Sequence, residues 1–194
     1  MSRTAEITRT TKETDIRVQL DLDGRGESSA ETGMPFFDHM LQQLGKHAGW
    51  DLSVRCTGDL QVDGHHTTED CGIAIGQALQ QALGDKAGVR RFASIVVPLD
   101  EAAVEVSLDL AGRNFVLFDV PIPAETIGSF DTGLLEDFVR AFAQTAELTI
   151  HVHLKYGRSP HHVAEAAFKA MAKALGDACA VTGRGGVPST KGTL

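Results

Sequence analysis

Hydrophobic and polar residues alternate at several places along the chain. Ile16, Val18, Leu20 and Leu22 are separated by Arg17, Gln19 and Asp21, a period of two that reads as a half-buried strand. The Thr-rich stretch from Ala5 to Thr14 reads as a strand before it, and Asp23-Gly24-Arg25-Gly26 as the turn after it. Beyond Gly33-Met34-Pro35 the period changes. Phe37, Met40, Leu41 and Leu44 recur at helical spacing within the stretch from Phe36 to His47. Leu52 to Cys56 alternates again. A second helix opens at His65, with Ile73, Ile75, Ala78, Leu79, Ala82 and Leu83 as its apolar side and Gly84 and Gly88 as its stop.

The same plan then recurs. Strands are expected from Ser94 to Pro98, around Val104, Val106, Leu108 and Leu110, and from Phe115 to Val120. A helix follows from Leu134 to Phe142, then a strand from Leu148 to Leu154. The last helix comes after Gly157-Arg158-Ser159-Pro160 and carries Ala166, Phe168, Met171, Ala172 and Leu175 on its apolar side. From Thr182 to Leu194 the chain is rich in Gly, Pro, Ser and Thr and reads as an irregular tail.

Individual residues match across the repeat. A shift of 88 places Glu13 on Glu101, Ile16 on Val104, and Leu20-Asp21-Leu22 on Leu108-Asp109-Leu110. A shift of 96 places His65 on His161, and His39 corresponds roughly to Asp137. The expected fold is therefore α+β, a strands-helix-strand-helix half used twice, with two halves related by a pseudo-twofold axis and sheets covered by helices. One domain over residues 1–194 is expected, made of repeats at about 1–90 and 91–181 with the tail 182–194 appended.

Composition narrows the function. A hydrophobic share of 42% with 23% charged residues fits a globular protein. The net charge of -8 and the lack of a basic stripe argue against nucleic acid and anionic membranes as partners. Cys56, Cys71 and Cys179 are scattered and odd in number, which fits a reduced, cytoplasmic setting. The first residues are polar, without the apolar core of a signal peptide, and no apolar run approaches the roughly 18 residues of a membrane span.

The chemistry concentrates in two stretches, His65-His66-Thr67-Thr68-Glu69 and His161-His162-Val163-Ala164-Glu165. Residues four apart share a helix face, so His65 with Glu69, and His161 with Glu165, can each hold a metal. His66 and His162 point about a quarter turn away. A single HHxxE also suits an exposed helix N-terminus; two copies at matching places in a repeated chain favour metal binding. Imidazole and carboxylate donors without thiolate suit Mn, Fe, Co, Ni or Zn, and leave the choice among them open.

Seven stretches together resemble the imidazoleglycerol-phosphate dehydratase family. They are Thr11-Lys12-Glu13-Thr14, Pro35 to Leu41, Asp63 to Asp70, Pro98 to Ala102, Ser107 to Arg113, His161-His162 through Phe168-Lys169-Ala170, and Pro188 to Gly192. The resemblance implies a ribosomal protein S5 domain 2-like fold and a hydro-lyase of histidine biosynthesis. That enzyme dehydrates D-erythro-imidazole-glycerol phosphate to imidazole-acetol phosphate, through a metal-bound imidazolate and a diazafulvene-like intermediate. It also implies two Mn2+ per active site, with ligands from both halves and from neighbouring subunits, and trimers assembling into a 24-mer.

Carried onto this chain, one metal takes His39, His66, His161 and Glu165. The other takes His65, Glu69 and His162, plus a helix residue that is usually His and is Asp137 here. Asp is an oxygen donor with shorter reach, so a non-catalytic metal-assembled shell stays open beside the enzyme. The resemblance places Glu13 as acid/base group or hydroxyl-positioning residue, and gives Glu165 and His47 catalytic roles. His39, Gln43 and His47 would contact substrate, and Arg91, Arg113, Lys169, Ser189 and Lys191 would bind its phosphate, a task suited to Arg forks and Lys point charges. His151 and His153 have no role in that scheme and read as packing or interface residues.

Overall fold

A computed structural model describes residues 2–183 and 185–194. Four strands, β1 (Thr4–Thr10), β2 (Thr14–Asp21), β3 (Ser28–Glu31) and β4 (Asp51–Gly58), form one sheet in the order β1-β2-β4-β3. Ile16, Val18 and Leu20 are buried and Asp15, Arg17 and Gln19 exposed, because successive side chains of a strand point to opposite faces. Val18 sits opposite Ile7 on one side and Val54 on the other, and β3 runs parallel to β4. Helices α1 (Pro35–Ala48) and α2 (His65–Leu83) belong to this half.

The second half repeats the layout. Strands β5 (Phe92–Leu99), β6 (Ala102–Asp109), β7 (Phe115–Asp119) and, after a short hairpin of β8 (Thr126–Ile127) and β9 (Phe130–Asp131), β10 (Thr149–Tyr156) build a second sheet and its insert. The sheet order is β5-β6-β10-β7, with the β7–β10 pair parallel, as β3–β4 is in the first half. Helices α3 (Leu134–Ala146) and α4 (Pro160–Cys179) complete it. The start of β6 lies 88 residues after that of β2 (102 against 14), and that of β10 lies 98 after that of β4 (149 against 51). The duplication read from the sequence is thus present strand for strand.

Helix ends follow local rules. Pro35 opens α1, and Gly49 closes it at φ 78°, where the Gly49 and Trp50 N–H groups reach the Lys46 and Gly45 carbonyls. Ser159 caps α4 by accepting the His162 N–H, and Pro160 occupies the first turn. The N-terminus of α2 is anchored from below. Buried Asp70 accepts from Thr14 Oγ1 (2.5 Å) and pairs with Arg9 (2.9 Å), so the histidine-bearing turn is tied to the β1–β2 hairpin.

The helices pair across the halves: α1 packs on α4, and α2 on α3. One hydrophobic core joins them, with Phe138 stacked on both Phe142 and Phe168. At the α2–α3 seam, Gly72 and Gly76 let the helices approach closely. A Cβ at Gly76 would run into Thr145 Oγ1 and come within 2.5 Å of the Phe142 carbonyl oxygen. Gly76→Ala is therefore expected to lower stability by about 1–3 kcal/mol through overpacking. A thermal melt checks this; an unchanged or raised midpoint would show that the seam can open.

Two details differ from the sequence expectation. Ile73 is only half-buried, and Cys71 and Ala74 take the inner side of α2. β3 and the β8–β9 hairpin are additions. Among the described residues, no helix is long and apolar enough to cross a membrane.

Candidate metal centre and active site

The cross-half pairing of helices brings distant ligands together. On α4, His161 and Glu165 stand one turn apart, and α1 delivers His39 beside them. The Nε2 atoms of His161 and His39 lie 3.0 and 3.4 Å from the same Glu165 Oε2. Ligand atoms of all three residues fall within 4.8 Å of one another. Burial pushes the Glu165 carboxyl up, but Lys169, 2.7 Å away, and the two histidines outweigh it and hold its pKa down at about 2. A permanently ionised carboxylate faced by two imidazole nitrogens is a donor set for a divalent cation.

The pseudo-twofold mate of this group sits on α2 and α3. His65 Nδ1 is 3.2 Å from Asp137 Oδ2, and His65 Nε2 is 4.0 Å from Glu69 Oε2. Asp137 thus occupies the place on α3 that His39 occupies on α1. The two carboxylates meet opposite nitrogens of the ring, which makes this group looser than its mate.

His66 and His162 stand outside both groups. The His66 Nδ1 lies 3.0 Å from Asp59, and its Nε2 lies 3.8 Å from Glu13. The His162 Nδ1 lies 2.7 Å from Glu101. These carboxylates raise the pKa of each ring. Glu101 is held at about 2 by His162 and by the Ser159 N–H.

Further along α1 and α4, His47 binds Gln43 through Nε2 (2.8 Å). Burial, with Lys169 and Lys173 nearby, lowers the His47 pKa and keeps the ring neutral. The remaining cations gather elsewhere. Arg91 forks onto Asp109 (2.7 and 3.1 Å) and donates Nη1 to the Pro188 carbonyl (2.8 Å), which ties the tail down. These bonds engage three of its five N–H groups. Gly112, next to Arg113, abuts the end of the chain at Leu194. Ser189 and Lys191 lie in a turn of the same tail.

A single chain does not join the two sets. The Arg91 N–H binds the Ala178 carbonyl near the C-terminus of α4, 13 residues beyond Glu165 (178 against 165). At 1.5 Å per residue the separation is about 20 Å. So Lys169 stands beside the metal-ligand group, and Arg91, Arg113, Ser189 and Lys191 stand at the far end of the helix. His151 and His153 lie on β10, where His151 packs near Phe115 and His153 faces Asp119. Asp59 carries no sequence signal, since it follows a strand in a polar loop. Glu101 carried one, its match to Glu13.

A family model described as imidazoleglycerol-phosphate dehydratase matches residues 32–175. Imidazoleglycerol-phosphate dehydratases of Frankia casuarinae and Cereibacter sphaeroides are 54% and 53% identical, covering 100% and 99% of this chain and 100% of each relative. The crystal structure of imidazoleglycerol-phosphate dehydratase from Staphylococcus aureus superposes with a TM-score of 0.84 at 36% identity, over 92% of this chain and 99% of that one. That of IGPD from Pyrococcus furiosus gives 0.84 at 37% identity, over 97% of this chain and 100% of that one. The chain belongs to the imidazoleglycerol-phosphate dehydratase family, and its reaction class is that of a hydro-lyase.

Proposed function

We propose that the protein catalyses the manganese-dependent dehydration of D-erythro-imidazole-glycerol phosphate to imidazole-acetol phosphate in histidine biosynthesis, in the cytoplasm. The observation that carries the metal part is the convergence of His39 and His161 Nε2 on one Glu165 oxygen, from opposite halves of the chain. The donors fit: imidazole and carboxylate, with no thiolate among them, suit Mn2+. One ion would be held by His39, His161, Glu165 and His66, and a second by His65, Glu69, Asp137 and His162. Because His66 and His162 are engaged by Asp59 and Glu101 outside both groups, the sets would close when copies of the chain come together. The gap of about 20 Å to the tail cations supports the same reading, and trimers assembling into a 24-mer would supply the neighbouring copies.

Bound at the substrate's imidazole nitrogens, the metals would favour ring deprotonation, which assists loss of the adjacent hydroxyl. The chain supplies the rest. Glu13, half-exposed at the tip of the β1–β2 hairpin, takes the carbon-bound proton. Neutral His47 and Gln43 offer hydrogen bonds on the α1 side, next to Lys169. Arg91, Arg113, Ser189 and Lys191 of another copy, together with Lys169, would hold the phosphate, with Arg91 pre-set by Asp109.

The test is turnover of imidazole-glycerol phosphate by the purified, Mn(II)-saturated protein, with formation of imidazole-acetol phosphate expected. No turnover by metal-loaded protein would overturn the enzyme reading.

Uptake of the metal depends on pH. A metal needs the neutral ring, and protons compete for it. Asp59 and Glu101 raise the His66 and His162 pKa values above the ordinary value near 6.5. Affinity for Mn(II) is therefore expected to fall already as the pH drops through the slightly acidic range, earlier than for unassisted imidazoles. Titrations between about pH 8 and 5.5 check this; a flat profile would contradict it.

A further inference from the structure

The second histidine of each pair is held by a carboxylate that belongs to neither metal group. Asp59 presents both oxygens to the His66 Nδ1, at 3.0 and 3.2 Å. Glu101 presents Oε2 to the His162 Nδ1 at 2.7 Å. A ring that donates Nδ1–H to a carboxylate keeps its lone pair on Nε2, and its plane is fixed as well. In both halves, then, the same nitrogen is left for a cation.

The two halves reach this arrangement with residues that are not counterparts. Glu101 is the repeat mate of Glu13, each on the tip of a hairpin, between β5 and β6 or between β1 and β2. Yet Glu13 does not hold the His66 Nδ1. It stands on the other side of the ring, 3.8 Å from Nε2. The Nδ1 place is taken by Asp59, whose own N–H is bound to the Glu13 carbonyl (3.0 Å).

A bulge between Leu154 and Tyr156 raises the offset of β10 against β4 from 98 to 99 and sets Asp59 against Arg158, a cation with no acceptor for a ring N–H. Glu101 must hold the ring in that half. It is fixed for the task by the Arg158 and Ser159 N–H groups, at 3.2 and 2.7 Å.

The geometry points to a division of roles between the halves. Asp59 and Glu101 are positioning residues that hold His66 and His162 with Nε2 open to metal. Asp59, by taking that place, leaves Glu13 free for the substrate. The inference rests on the metal reading above and extends it to residues that touch neither metal nor substrate.

Asp59→Ala, Asp59→Asn and Glu13→Gln test it in the full-length protein. Mn(II) affinity is read by the electron paramagnetic resonance of free Mn(II), and the His66 tautomer by 15N NMR of the metal-free protein. Wild type is expected to show the Nδ1–H tautomer. D59A is expected to lose it and to bind Mn(II) about 10–100-fold more weakly, with an unchanged melting temperature. D59N keeps an acceptor oxygen and should recover most of the affinity. E13Q should bind Mn(II) as wild type does, while its turnover falls. Equal Mn(II) affinity in D59A, or an unchanged tautomer, would overturn the inference with the metal reading intact. Wild type that takes up no Mn(II) would overturn the metal reading itself, and the tautomer comparison then decides the positioning role separately.

Discussion

Glu13→Gln is expected to lower turnover by about 10²–10⁴-fold, the usual contribution of a placed acid/base group, while the protein stays folded. In barrier terms that is about 3–5 kcal/mol. The amide is isosteric but cannot accept a proton. The side chain is half-exposed and makes no buried contact, so little stability rides on it. The local turn is held by other atoms: the Glu13 N–H donates to Thr11 Oγ1 (3.1 Å), and the Glu13 carbonyl accepts from the Asp59 N–H (3.0 Å). Both survive the substitution. Steady-state kinetics separate the outcomes: a fall in kcat with KM little changed supports proton transfer, and near-normal turnover would remove Glu13 from that role.

Removal of metal by a chelator is expected to have the second large effect, on two readouts together. Turnover should drop by at least about 10³-fold, some 4 kcal/mol of barrier. The assembly should also fall apart into smaller oligomers. The physical reason lies in the ligand groups. Within one chain each proposed group would have three protein donors, and the fourth, His66 or His162, is held by Asp59 or Glu101 outside it. A metal joining His66 of one copy to His39, His161 and Glu165 of another is a cross-link. Without it, Glu165 stays ionised and the groups lose their shared cation. Sedimentation velocity with and without chelator reads the size, and re-addition of Mn(II) should restore it. An unchanged profile with activity lost would separate catalysis from assembly.

Much of the fold was legible in the sequence because its signals are periodic. The alternation at Ile16, Val18 and Leu20 marks a strand with one buried face, and the same alternation recurs 88 residues later at Val104, Val106 and Leu108. β3 was not legible: Ser28-Ser29-Ala30-Glu31 offers one small apolar residue, and it is a strand only because β4 is there to pair with. The β8–β9 hairpin, with two residues in each strand, is too short to carry a period.

The site divides in the same way. His161 and Glu165, one turn apart on a helix, can be read locally. Their meeting with His39, 126 positions before Glu165, follows only from the packing of α1 on α4. The duplication hints at it, since a pseudo-twofold axis brings related elements together in pairs. Asp59 was invisible because its task, holding one nitrogen of a ring, depends on a loop path that no spacing encodes. Asp137 was visible as a position but not as a contact, and the contact with His65 places it opposite Glu69 rather than beside it.

In the proposed enzyme two metals would sit in two related ligand groups, each completed by a histidine from a neighbouring copy. Anomalous scattering from crystals of the Mn(II)-loaded protein, collected on both sides of the manganese edge, locates such ions. Two manganese peaks per chain are expected: one bounded by His39, His161 and Glu165 with a neighbour's His66, the other by His65, Glu69 and Asp137 with a neighbour's His162. A single peak, or peaks away from these residues, would contradict this arrangement.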